Sequence, residues 1–172
     1  MATFFRRLLW CVVLLAVQIL LLNRISLFGC ATPCASIILI LLLDTNVSPA
    51  QRMLWGFCMG LVSDIFTNTP GMQAASLSLV AFAEPAVLKL FISVDRRAHV
   101  NPGIVSMGWI PFLLYVLTGS LIFHTIKGLL NMHAGNDWWM FLVGVGLSTV
   151  MTTFLISLIE LLFRRNQRRH FK

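Results

Sequence analysis

The sequence predicts an all-α polytopic membrane protein with six transmembrane helices and both termini in the cytoplasm. Two observations set the class and a third sets the orientation. Of 172 residues, 58% are hydrophobic and 11% are charged, with mean hydropathy +0.87. A soluble domain carries roughly 25% charged residues, spread through every segment. Here the charges gather at the edges of long apolar runs. A β-barrel would show segments of about ten residues with alternating polarity, and the chain has none. Orientation follows from the basic residues. Six crossings from a cytoplasmic start put Arg6, Arg7, Arg52, Lys89, Arg96, Arg97, Arg164, Arg165, Arg168, Arg169 and Lys172 inside. That is eleven of thirteen, with Arg24 and Lys127 outside. Five or seven crossings would break this positive-inside bias.

The six runs follow in order as a single integral membrane domain over residues 1–172. The first, about 8–22, follows Arg6-Arg7 and stops at Asn23-Arg24. The second, about 27–43, holds Pro33 and is barely long enough, since a span needs about 20 residues. The third, about 53–68, frays through Thr67-Asn68-Thr69-Pro70-Gly71. The fourth covers about 72–94, the fifth 104–130 and the sixth 138–163, with Asp137-Trp138-Trp139 at the outer interface. Arg6-Arg7, the first run and Cys30 loosely resemble a lipoprotein signal. However, Asn23-Arg24 interrupts the apolar stretch and Phe28 is bulky for a cleavage site, so the first helix is expected to stay. The longest hydrophilic connections, 95–101 and the tail from Arg164, are too short for a soluble domain.

These features exclude several function classes. The net charge of +7 lies at helix edges rather than on an interleaved basic and aromatic surface, so no nucleic acid is expected. Cys11, Cys30, Cys34 and Cys58 form no CxxC pair, and His99, His124, His133 and His170 have no ligand spacing. No catalytic residues, metal or cofactor are expected.

The remaining leads are polar residues inside runs, where burial of a charge costs ~2.5–3.5 kcal/mol and demands a partner. Lys89 and Glu160 read as snorkelling ends. Glu84, next to Pro85 near mid-span, reads either as half of a structural pair or as a site. Gly56, Gly60 and Asp64 step by four and share one helix stripe. Such a stripe serves either a close helix crossing or a partner-docking face. Counted from Arg52, Asp64 lies ~18 Å along its helix. That places it in the outer half beside His124 and Lys127, its expected partners.

The order of these features resembles the MreD family, the rod-shape-determining membrane proteins of bacteria. The residues that carry the resemblance are the Arg-flanked first helix, the Pro33-led run "PCASIILILLL" and "GFCMGLVSDIFTNTPGMQAASLSL". In that family a glycine-spaced helix ends in an acid, then a turn, a glycine and small residues follow. The matching positions are Gly56, Gly60, Asp64, Gly71, Ala74 and Ala75. Cys34 departs from the pattern, which has a polar or acidic residue after the proline. The resemblance implies a non-enzymatic scaffold of the elongation complex in the cytoplasmic membrane. It would bind an MreC-like bitopic protein and through it link MreB to the peptidoglycan synthases PBP2 and RodA. That fold is similar to the substrate-binding subunits of energy-coupling-factor transporters, so a vitamin-type uptake subunit is the alternative. Those subunits dock through a small-residue stripe on helix one, which "LLWCVVLLAVQILLL" does not have.

Overall fold

The computed structural model describes Gln18 and residues 33–43, 47–92, 102–131 and 138–169. Among them every regular element is an α-helix. These are α1 (Ile37–Leu41), α2 (Pro49–Thr67), α3 (Met72–Phe91), α4 (Ile104–Met107), α5 (Trp109–Leu130) and α6 (Trp138–Arg169). Three helices are long and apolar enough to cross a bilayer: α3, α5 and the Trp138–Leu161 part of α6. Helix α2, with 19 residues, has the length. Gln51, Arg52, Ser63 and Asp64 keep it out of that apolar set.

Each boundary has a local cause. Ser48 accepts a hydrogen bond from the Gln51 N–H (3.3 Å), and Pro49 at the first helical position loses a donor that would be unpaired there anyway. Asn68 ends α2 in the left-handed region (φ 53°) and Gly71 opens α3 at φ 76°. Two reversals within four residues fold α3 back antiparallel on α2.

The described helices differ from three of the expected runs. Within residues 33–43 the second run is helical only over the five residues of α1, about 7.5 Å of rise. Residues 27–32 and the rest of the first run, apart from Gln18, lie outside the described residues. The fifth run is two helices, because Gly108 at φ 88° interrupts it. The sixth continues to Arg169, beyond the expected end at 163.

Helix α1 is the centre of the core. Ile37, Ile40 and Leu41 are fully buried against Met59 of α2, Leu77 and Val80 of α3, and Phe112, Tyr115 and Val116 of α5. The surface is apolar as well as the core, unlike that of a soluble protein. Helix α6 buries Ser148, Thr149, Thr152 and Thr153, and exposes Val150, Phe154, Leu158 and Leu161. An apolar surface over a core that also encloses polar side chains is the pattern of a helical bundle surrounded by lipid.

Candidate functional site

The α2–α3 hairpin is built on glycine. A Cβ added at Gly60 would fall 2.2 Å from the Cα of Ala74, and one at Gly56 would fall 2.8 Å from the Leu77 carbonyl oxygen. Backbone therefore lies on backbone. The stripe is filled by a neighbouring helix of the same chain, so it is not an open docking face. Ala74 is the buried residue opposite Gly60, whereas Ala75 is half-buried and Gly71 is exposed, with nothing near the place of its missing Cβ. Gly71 supplies a backbone angle rather than a contact.

This close crossing delivers Asp64 to the start of α3. One carboxylate oxygen accepts from the Thr69 hydroxyl (2.8 Å) and the Gln73 N–H (3.0 Å). The other accepts from the Ala74 N–H (3.0 Å). A buried acid is thereby satisfied by amides that begin a helix, where the helix dipole also favours negative charge. The expected partners were His124 and Lys127, and the structure corrects that pairing. His124 Nε2 instead meets the Thr152 hydroxyl at 2.9 Å, and Lys127 is half-buried one turn further along α5. Turn geometry explains the difference: nine residues after Asp64 the chain has already returned to it.

From Asp64 a line of buried hydrogen bonds crosses the bundle. Gln73 donates to the Thr67 hydroxyl (2.9 Å), and its side-chain oxygen accepts from Gln18 (3.2 Å). The Gln18 carbonyl oxygen accepts from the Ser36 N–H (2.8 Å), the Ser36 hydroxyl and, at 3.7 Å, the Cys34 thiol. The Cys34 N–H donates to Thr152 (3.2 Å), which leads to His124. Cys34 thus joins a polar network although it departs from the family pattern.

A second cluster closes the other end of α1. Arg52, from the first turn of α2, forms a buried ion pair with Glu84 of α3. The Arg52 Nε–H also donates to the Val47 carbonyl (3.2 Å). Tyr115 of α5 directs its hydroxyl at Glu84 (2.7 Å) and at the Leu41 carbonyl (3.1 Å). A Tyr–Glu–Arg clamp therefore ties the last turn of α1 to three helices. Of the alternatives open for Glu84, the structure shows a structural pair.

No family model, curated protein or solved structure matches the chain. The geometry of these clusters can hold helices in register. Arg52, Asp64, Glu84 and His124, all buried, each meet another group of the chain.

Sequence reading missed Gln18, Ser36, Gln73, Tyr115 and Thr152. A usable signal existed for three of them. Tyr115 is the chain's single tyrosine and lies inside an apolar run, as do the amides Gln18 and Gln73. Buried hydroxyls and amides need partners as surely as charges do.

Proposed function

We propose that the chain is a non-enzymatic membrane scaffold of the bacterial cell-elongation complex, of the MreD kind. It spans the cytoplasmic membrane six times with both ends inside. It binds an MreC-like bitopic protein and through it links MreB filaments to PBP2 and RodA. The observation that supports this reading best is the use made of the buried charges. Arg52, Asp64, Glu84 and His124 are engaged in fixing helix against helix. A bundle of fixed shape is what a docking platform requires. The motif Gly56-x-x-x-Gly60-x-x-x-Asp64 with Gly71 and Ala74, on which the family resemblance rests, forms one structural unit here.

Depletion in a rod-shaped host tests the proposal. Cells should become round and wide while vitamin uptake stays normal, and crosslinking in membranes should recover an MreC-like bitopic protein. Recovery of an ATPase-coupled transporter module, with normal cell shape, would decide for the uptake-subunit alternative.

A further inference from the structure

Helix α6 does not stop where its apolar segment stops. The spanning stretch is Trp138–Leu161, and the helix continues to Arg169 without a break. Four arginines lie in that continuation: Arg164, Arg165, Arg168 and Arg169. At about 100° per residue they fall at roughly 0°, 100°, 40° and 140°, one arc of about 140°. Asn166 and Gln167 fall at roughly 200° and 300°, on the other side.

The same count places the arc relative to the rest of the helix. Exposed Val150, Phe154, Leu158 and Leu161 fall between roughly 40° and 120°, inside the arginine arc. Buried Ser148, Thr149, Thr152, Thr153 and Ile156 fall between roughly 200° and 340°, opposite it. Glu160, the acid of these last turns, falls at roughly 320°, at the edge of the arc and one turn before Arg164. The basic arc therefore continues the register of the outward apolar stripe of α6. Depth agrees with direction. Arg164 to Arg169 lie ~4–12 Å beyond Leu161. A headgroup layer is about 5–7 Å thick on each side of the hydrocarbon.

We infer that this arginine face is a binding surface for anionic phospholipid headgroups next to α6. Arginine suits that role, because its planar fork pairs with phosphate through two hydrogen bonds. Clusters of four or more cations immediately outside a spanning helix attract anionic lipid, each worth about a fivefold gain in association. The face holds a shell of such lipid on the side of α6 opposite the buried threonines.

The test uses the full chain in phosphatidylcholine vesicles doped with spin-labelled phosphatidylglycerol or spin-labelled phosphatidylcholine. Electron paramagnetic resonance then measures how much of each label is immobilised at the protein. The wild type should prefer phosphatidylglycerol by about threefold or more, and the preference should fall towards one in 1 M salt, where screening acts within about 3 Å. The salt arm needs no mutant. R164Q/R165Q/R168Q/R169Q should lose the preference at low salt. R164Q/R165Q/N166R/Q167R keeps the net charge but moves two cations to roughly 200° and 300°, out of the arc, and it should lose at least half the preference. Equal selectivity in the wild type and either variant would overturn the inference, as would a wild type without preference. Loss of an acidic protein partner from native membranes in the fourfold variant, with lipid selectivity unchanged, would reassign the face to protein.

Discussion

At the scale of single residues, Asp64 and Glu84 perform different tasks and should fail differently. Asp64→Ala strands the buried N–H groups of Gln73 and Ala74. At about 1–3 kcal/mol for each stranded group, the loss should be about 3 kcal/mol. Asp64→Asn keeps one acceptor oxygen and should lose about half as much. Unfolding in mixed dodecyl sulfate micelles, followed by circular dichroism, measures both. Asp64 takes its bonds from the turn and α3, so Asp64/Lys127 and Asp64/His124 double-mutant cycles should be additive within about 0.5 kcal/mol. A larger coupling would restore the across-bundle pairing. Glu84 behaves as half of an ion pair. Glu84→Gln leaves the Arg52 charge buried without its counter-charge and should cost about 3–5 kcal/mol. Arg52→Met in the same chain should recover more than 1 kcal/mol of that loss, and no recovery in the same unfolding assay would argue against the pair.

At the scale of elements, the glycines give a graded series. Gly60→Ala puts a methyl 2.2 Å from a Cα and must part α2 from α3, so it should cost about 3 kcal/mol or more. Gly56→Ala meets one carbonyl at 2.8 Å and should cost less. Gly119→Ala meets the end of the Leu41 side chain at 2.8 Å, which can turn aside, and should cost about 1 kcal/mol. Gly146→Ala meets nothing within 4 Å and should be neutral or stabilising by up to about 1 kcal/mol. Melting temperatures in detergent should rank the four in that order, and a destabilised Gly146→Ala would contradict the outward placement of that face. The stripe itself was legible in the sequence, because spacing by four fixes a helix face without further information. What faced it was not legible, since the turn at Asn68 and Gly71 brings α3 back within a few residues. The length of α1 was also hidden: an apolar run does not distinguish a short buried helix from a crossing. The network through Gln18, Gln73 and Tyr115 is carried by uncharged side chains, which stand out less from an apolar run than charges do.

At the scale of the molecule, the two polar clusters hold the ends of one central segment. Cys34 and Ser36 are held through Gln18 and Thr152, and the Leu41 carbonyl is held by Tyr115. Between them α1 touches α2, α3 and α5 with fully buried isoleucines and leucine. The bundle is organised around a short, fully buried helix, so its orientation in the membrane depends on the longer helices. Arg52 no longer counts among the inner basic residues, because it is buried on Glu84. Ten basic residues then remain on the expected inner side against Arg24 and Lys127 on the outer. Four of the ten form the pairs Arg6-Arg7 and Arg96-Arg97, Lys89 and Lys172 stand singly, and four belong to the α6 extension. Since short loops and flanks set orientation, the α6 arginines should anchor that helix with Trp138-Trp139 outside. Alkaline phosphatase, active only outside the cytoplasm, should therefore be active when fused after Asn136 and inactive when fused after Lys172. An active fusion at Lys172 would reverse α6. With it the six-span arrangement of the proposed scaffold would fall.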